Sequence, residues 1–320
     1  MTVRIYWQLD VAQQPARGEI AARPAPTGIA RDVRTRAITR YDHYAQIAQA
    51  AAQTAFDGLF IVHRPQSDDA AIVAAAIARE VPRIELVAEF PASAGSAVYA
   101  AKQAVTFQRA TRERLGWAIA PSRPAVERAH DGDRVPNEAL AARTEEFLTV
   151  ARGVHGQHPY SFAGRFFEVE NGGFDAPLNR VRFPRVFLQG ESKEELALSA
   201  RVADVHLFCA TGFATLSRQI EALDMLALQA RRSIGFGLIQ PVLARDIDEE
   251  ARRDAARAGL PEQAIVGDYA EVADRLAALA RLGVDHFVLT GGSSLEESYV
   301  VGQHVLPRLR ALLDASRAAA

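Results

Sequence analysis

The chain has 320 residues, of which 49% are apolar and 24% are charged, and its formal net charge is −2. This balance lets a large core form without disulfides or metals, and the length suits a single α/β barrel. The arginines are spread among acidic residues, which argues against a nucleic-acid-binding protein. Cys209 is the only cysteine, so an intrachain disulfide is excluded and a cytoplasmic location is expected. The sequence predicts neither an export signal nor a membrane span.

Short β-rich apolar runs alternate with longer stretches of helical periodicity along the chain. Eight such repeats favour a closed barrel of eight parallel strands, each followed by a helix, over a two-domain α/β protein. The predicted strands cover residues 3–9, 58–62, 84–89, 115–120, 185–188, 205–209, 234–242 and 286–290. The clearest predicted helices cover residues 41–54, 69–79, 98–109, 138–152, 194–202, 215–231, 269–281 and 297–315.

Two irregular segments interrupt this alternation, one at residues 11–40 and one at residues 155–184. The second has several aromatic residues ahead of Asn171-Gly172-Gly173, a turn sequence that tolerates positive φ, so it predicts an added hairpin. We therefore expect one barrel domain over residues 1–320 that carries both segments.

Polar residues directly after the predicted strands are the candidate site residues, because barrels of this type place their active sites at the C-terminal ends of the strands. His63, Arg64 and Ser67 follow the second strand, and Ser122 and Arg123 follow the fourth. Imidazole and guanidinium groups donate hydrogen bonds to oxygen acceptors, so His63 and Arg64 are candidates for contacting a substrate anion or a cofactor ring. A plain surface loop is the other interpretation.

Two glycine-containing loops have the composition of anion sites. Gly190, Glu191 and Ser192 open a predicted helix, where free N–H groups favour a phosphate, but Ser192 and Glu195 also fit a capping box that needs no ligand. The loop at residues 290–294 has the same ambiguity, because Ser294 and Glu297 can cap the last helix.

Other site classes have little support in the sequence. HxH and HExxH spacings are missing, which argues against a dedicated metal site. GxSxG, GxxxxGK[ST] and strand-linked GxGxxG patterns are also missing, which weakens hydrolase, kinase-like and Rossmann interpretations. His206 and His286 lie within predicted strands and are expected to be core residues.

Several segments near the C-terminus resemble the C-terminal end of flavin-dependent alkanesulfonate monooxygenases, which belong to the bacterial luciferase-like family. They are Val266-Gly267-Asp268, Leu282-Gly283-Val284-Asp285-His286-Phe287-Val288-Leu289 and Leu295-Glu296-Glu297-Ser298-Tyr299. Weaker similarity covers most of the chain, including Ile5-Tyr6-Trp7, Gln46-Ile47-Ala48-Gln49-Ala50-Ala51, Ala101-Lys102-Gln103-Ala104 and Phe162-Ala163-Gly164-Arg165.

The resemblance implies a luciferase-like barrel that receives reduced FMN from an NAD(P)H-dependent reductase and uses O₂ to oxygenate a small organic substrate. Glu191 and Ser192 match a Glu-Ser pair that binds the FMN phosphate in related luciferases. We therefore predict phosphate contacts from Gly190, Glu191, Ser192, Ser122 and Arg123, and catalytic roles for Tyr299, His63, Arg64 and Ser67. The family also implies a homodimer, and the alanine-rich helix at residues 70–78 suits either close approach of a second subunit or packing within the chain.

The sequence departs from the sulfonate enzymes at several catalytic positions. Ser67 stands in place of a cysteine and Ala12 in place of a histidine, while Ile239 and Pro241 replace an arginine and a histidine. The arginine-bearing lid segment before the last β/α unit is missing, and Trp117 on strand 4 is expected to narrow the flavin pocket. A simple alkanesulfonate is therefore not the predicted substrate. A non-catalytic flavin-binding paralogue and a deazaflavin-dependent oxidoreductase remain alternatives.

Overall fold

The computed structural model describes residues 2–12, 40–93, 95–120, 123–291 and 295–318, apart from the side chain of residue 317. Most of the irregular segment predicted at residues 11–40 lies outside the described residues. So do Ser122 and the predicted capping residue Ser294.

All eight predicted strands are present with similar bounds, and the described residues form eleven strands in total. The strands are β1 Arg4–Asp10, β2 Gly58–Val62, β3 Glu85–Phe90, β4 Leu115–Ile119, β5 Tyr160–Ala163, β6 Glu168–Gly172, β7 Arg185–Gln189, β8 Val205–Cys209, β9 Gly235–Arg245, β10 Ile265–Asp268 and β11 His286–Thr290.

Eight of these strands close into a parallel barrel in the order β1-β2-β3-β4-β7-β8-β9-β11, and β11 pairs back onto β1. The predicted (β/α)₈ barrel is thus confirmed. The antiparallel pair β5–β6 forms a hairpin within the second irregular segment. The short strand β10 pairs in parallel with the far end of β9, where Ile265 lies opposite Val242.

Helices cover the outside of the barrel. They are α1 Arg40–Gln53, α2 Ala70–Glu80, α3 Ala97–Thr111, α4 Ala125–His130, α5 Leu140–Gly156, α6 Lys193–Val202, α7 Phe213–Gln229, α8 Asp248–Ala258, α9 Tyr269–Arg281, α10 Leu295–Val300 and α11 Leu306–Ala318, with a π-helical turn at Val301–Val305 and 3₁₀ turns at Asn137–Ala139 and Leu178–Arg180. No helix of the described ranges has the length and apolar character that a bilayer span requires.

Strand residues alternate between the barrel interior and the helical layer, as side chains of a pleated strand must. On β1, Tyr6 belongs to the interior cluster, whereas Ile5 and Trp7 pack in the larger cluster beneath the helices. Every residue of β2 is buried, because parallel strands of this architecture are covered on both faces.

An ionic cluster fills the N-terminal end of the barrel interior. The Glu85 carboxylate accepts hydrogen bonds from Arg4 and from the Tyr6 hydroxyl, both at 2.9 Å. His286 stacks on Tyr6, and its Nδ1 lies 2.7 Å from an oxygen of Asp285. His286 is therefore part of this ionic cluster and lies away from the C-terminal end of the barrel, where the site is expected.

Candidate functional site

The strand register brings three polar side chains together at the C-terminal end of the barrel, which we call the mouth. Asp10 pairs with Val62, and Glu89 pairs with Ala118. Gln189 occupies the last position of β7. Because these residues share the inward-facing parity of their strands, their side chains form the top layer of the interior.

Glu89 is a buried carboxyl group at the centre of the mouth, with only 4% of its surface exposed. Its Oε2 accepts a hydrogen bond from the backbone N–H of His63 at 2.9 Å, and its Oε1 accepts one from the Gln189 amide at 2.6 Å. Burial raises the pKa of Glu89 to about 7, against the opposing effect of these hydrogen bonds and of Arg64. Glu89 can therefore change protonation state near neutral pH.

Asp10 and Arg64 form a two-pronged ion pair at the same end of the barrel. The Arg64 guanidinium donates to Asp10 Oδ2 from Nε at 3.1 Å and from Nη2 at 2.6 Å. This fork geometry fixes the orientation of both groups. The pair ties the loop after β2 to the end of β1.

His63 and Arg123 each bring a buried nitrogen without a hydrogen-bond partner in the described part of the chain. These atoms are His63 Nε2 and Arg123 Nη1. Arg123 uses its other terminal nitrogen in a 2.5 Å ion pair with Asp131. Burial first, and the Arg123 charge second, lower the pKa of His63, so its imidazole is neutral at neutral pH. Buried polar atoms without a partner are costly. Arg123 Nη1 is always a donor, and His63 Nε2 is a donor in the tautomer that carries the proton there, so both atoms can serve an incoming acceptor.

A cleft of about 470 Å³ opens beside the Asp10–Arg64 pair. Ser67 contributes to its wall, and the backbone N–H of Ser67 donates to the Arg64 carbonyl. The lining residues are Ala12, Arg40, Arg64, Pro65, Gln66, Ser67, Glu127 and His130. The cleft is of the size that small organic ligands occupy.

The Gly190–Ser192 loop forms the predicted capping box. Glu195 Oε2 accepts hydrogen bonds from the backbone N–H groups of Glu191 and Ser192, at 3.1 and 3.0 Å, and Ser192 Oγ accepts from Glu195 N–H at 3.2 Å. Gly190 has φ +144°, and a Cβ there would lie 2.5 Å from the Glu195 carboxyl carbon. The Glu195 carboxylate thus occupies the donors that a phosphate would use.

Two other sequence-predicted positions lie away from the mouth. The Tyr299 hydroxyl donates to Gln53 at 3.0 Å. Gln53 is the last residue of α1, which leads into the N-terminal end of β2. Trp117 lies in the layer beneath the helices, against Phe147 and Phe183. Its side chain therefore does not narrow the barrel interior, and that expectation is wrong because Trp117 has the outward parity of β4.

Asp10, Glu89 and Gln189 were not among the predicted site residues. The predicted site residues follow the strands, whereas these three occupy the final inward positions of the strands themselves. An acidic residue within an otherwise apolar run, as in residues 85–90, was the available signal.

A closed parallel barrel whose polar side chains gather at the C-terminal mouth belongs to the (β/α)₈ class that carries its chemistry at that end. The family model of luciferase-like monooxygenases matches residues 24–260, most of the chain. The chain therefore belongs to the luciferase-like monooxygenase family, as the sequence resemblance predicted. The closer resemblance to the alkanesulfonate branch stays a prediction.

Solved structures of several enzymes share the fold of this chain at low sequence identity. A riboflavin lyase (RcaE) solved with modified FMN and riboflavin has a TM-score of 0.80 and 17% identity, over 97% of this chain and 92% of that one. The EDTA monooxygenase (EmoA) from Chelativorans sp. BNC1 has a TM-score of 0.78 and 17% identity, over 96% and 94%. An F420-dependent secondary alcohol dehydrogenase, solved with an F420-acetone adduct, has a TM-score of 0.73 and 13% identity, over 97% and 100%.

Proposed function

We propose that this protein is a flavin-dependent monooxygenase that binds reduced FMN at the barrel mouth and oxygenates a small organic substrate other than a simple alkanesulfonate. The observation that carries the proposal is the buried, unpartnered Nη1 of Arg123 at the mouth of a luciferase-like barrel. Arginine is the side chain best suited to a phosphate, because its fork of donors matches phosphate oxygens. The bound flavin would supply the electrons that activate O₂.

The phosphate is proposed to lie between Arg123 and the Gly190–Ser192 loop, with Ser122 as a further donor. The helix α6 begins at this loop, and its dipole favours an anion there. A phosphate would take the place of the Glu195 carboxylate on the N–H groups of Glu191 and Ser192. The residues thus fit the group on condition that Glu195 changes its rotamer.

The proposed catalytic residues are His63, Arg64 and Ser67. His63 offers a neutral imidazole with a free nitrogen, and Arg64 and Ser67 line the cleft beside it. Tyr299, to which the family resemblance gave a catalytic role, contacts Gln53 away from the mouth and is not part of the proposed catalytic set. We further propose an NAD(P)H-dependent flavin reductase as the source of reduced FMN, a cytoplasmic location and a homodimer.

A deazaflavin is a second candidate for the cofactor. Two of the similar structures are named as F420-dependent proteins, the alcohol dehydrogenase and a tetrahydromethanopterin reductase from Methanopyrus kandleri with a TM-score of 0.75 and 14% identity. A hydride-transferring oxidoreductase would then replace the monooxygenase. A non-catalytic flavin-binding protein is the third alternative.

The test of the proposal is to measure the binding of reduced FMN, oxidised FMN and F420 under anaerobic conditions, with tryptophan fluorescence as the readout. Removing Arg123 costs a charge-assisted hydrogen bond, so Arg123→Ala should weaken binding of reduced FMN by about tenfold or more, and Arg123→Ala with Ser192→Ala should weaken it further. Arg83→Ala removes an exposed arginine from the opposite end of the barrel and should leave binding unchanged. Preference for F420 would favour the deazaflavin enzyme, and failure to bind any of the three would overturn the proposal.

A further inference from the structure

Glu89 differs from the other interior carboxyl group of its own strand. Glu85, four residues earlier on the same inward face, forms an ion pair with Arg4 at 2.9 Å. Glu89 has no ion-pair partner among the described residues, and both of its hydrogen-bond donors are uncharged groups. A buried carboxylate without a cation is expensive, and the usual response is protonation.

The two charges that face Glu89 act on its pKa in opposite directions. From β1 comes the Asp10 carboxylate, which raises the pKa of Glu89, and from the loop after β2 comes the Arg64 guanidinium, which lowers it. These two groups are already paired with each other at 2.6 Å. The neighbouring positions on β4 and β7 are Ala118 and Gln189, which carry no charge. Burial is the largest effect on this carboxyl group.

The unpartnered donors of the mouth favour a ligand of negative charge. Arg123 Nη1 and His63 Nε2 are both buried and both without an acceptor in the described residues. The His63 backbone N–H donates to Glu89, and the charge of Arg123 acts on the His63 imidazole. A negative charge on Glu89 would therefore repel an anionic ligand bound at His63. Neutral Glu89 removes this repulsion and leaves its hydrogen bonds to His63 and Gln189 possible.

We propose that the mouth takes up its anionic ligand together with one proton, and that Glu89 is the residue that holds this proton. The proposal rests on the proposed function, in which the ligand is reduced FMN. In the binding step a solvent proton forms an O–H bond on the Glu89 carboxylate, and nothing is oxidised or reduced. Two sources of negative charge on the ligand are possible, the phosphate and the reduced ring.

Glu89→Gln reproduces the protonated state with little rearrangement. The new amide oxygen can accept from the His63 N–H, and the Gln189 amide can turn over so that its oxygen accepts from the new NH₂ group. The matched control is Glu170→Gln, which removes an exposed carboxylate on the β5–β6 hairpin.

The test is calorimetric titration with reduced FMN at pH 6, 7 and 8, in pairs of buffers with different ionisation enthalpies, so that proton uptake is counted directly. For wild type and Glu170→Gln we expect uptake that rises from about a tenth of a proton at pH 6 to about nine tenths at pH 8. Their Kd should weaken toward tenfold per pH unit above pH 7. Any proton that the flavin itself exchanges remains in Glu89→Gln, and the difference between the proteins isolates Glu89.

Oxidised FMN and reduced riboflavin distinguish the two charge sources. Uptake with both forms of FMN would assign the coupling to the phosphate, and uptake with reduced FMN and reduced riboflavin would assign it to the ring. If FMN binds and uptake is independent of pH, or is the same in Glu89→Gln, the inference is overturned while the proposed function stands. If Glu89→Gln does not fold, Glu89→Ala takes its place in the comparison, because it also removes the titrating carboxyl group. Failure of every flavin to bind would overturn both.

Discussion

Glu89 couples the stability of the folded chain to pH in the opposite direction from an ordinary ion-paired carboxylate. Its pKa rises from 4.5 to about 7 on folding, so the folded chain binds more protons than the unfolded chain between these values. The contribution of Glu89 to the stability of the folded chain is therefore fully present below pH 4.5, and it is lost as pH rises toward 7. At about 1.4 kcal/mol per pKa unit, the loss is on the order of 3 kcal/mol.

Glu89→Gln should remove this dependence. We expect the variant to be more stable than wild type at pH 8 by up to about 3 kcal/mol, and to approach wild type at pH 5. Urea unfolding at pH 5, 6.5 and 8, followed by far-UV circular dichroism, measures the difference. Glu170→Gln serves as the exposed control and should follow the wild-type curve. Parallel curves for wild type and Glu89→Gln would show that Glu89 does not titrate in this range.

At the residue scale, the sequence locates donors better than it locates the buried acid. His63, Arg64 and Arg123 follow strands directly, and the rule that barrels carry chemistry after their strands is sufficient to select them. To predict Glu89 as a site residue, one must know which residues of β3 point into the barrel, and this depends on where the strand begins. A shift of one residue would place Glu89 against the helices.

At the element scale, the start of α6 serves either helix capping or phosphate binding. The two roles predict opposite effects of Glu195→Ala on the binding of reduced FMN. Ser192→Ala removes the capping oxygen that accepts from Glu195 N–H, so it should destabilise the chain by about 1 kcal/mol. If the phosphate replaces the Glu195 carboxylate, Glu195→Ala should strengthen binding of reduced FMN by several-fold while lowering stability by a similar amount.

Thermal unfolding and FMN titration of Ser192→Ala and Glu195→Ala separate these roles. Glu194→Ala is the control, because it removes a first-turn carboxylate next to Glu195. Weaker FMN binding in Glu195→Ala would mean that the capping box holds the loop in its binding form, and the phosphate would then lie elsewhere.

The elements that sequence analysis missed are those with little to bury. Helix α8 is mostly charged, and Ala251 is its only buried residue in the structure, so it shows no apolar stripe. Strand β10 has four residues and pairs only with the extension of β9. By contrast, the eight barrel strands are apolar runs buried on both faces, which is why their positions were predictable.

At the scale of the whole molecule, large apolar side chains are exposed at several places on the outside of the barrel, and three of them follow consecutive strands. Ile72, Tyr99 and Val126 are exposed near the starts of α2, α3 and α4, which follow the consecutive strands β2, β3 and β4. The alanine-rich helix α2 serves packing within the chain through Ala70 and Ala74, which are buried. Its outward face keeps Ala71 and Ala75 exposed beside Ile72, and small side chains allow close approach of another helix.

We propose that the side formed by α2, α3 and α4 is the contact surface of a homodimer, because exposed apolar groups that cluster mark interfaces. Light scattering should then give twice the chain mass of 34.8 kDa. Ile72 is 67% exposed, and Ile72→Glu would bury a charge at the contact, so it should weaken dimerisation by about a hundredfold. Met225→Glu on α7 changes a side chain that is 58% exposed on another part of the barrel and should leave the dimer intact. A wild-type mass of one chain over the micromolar range would exclude the dimer, and equal effects of both variants would place the contact elsewhere.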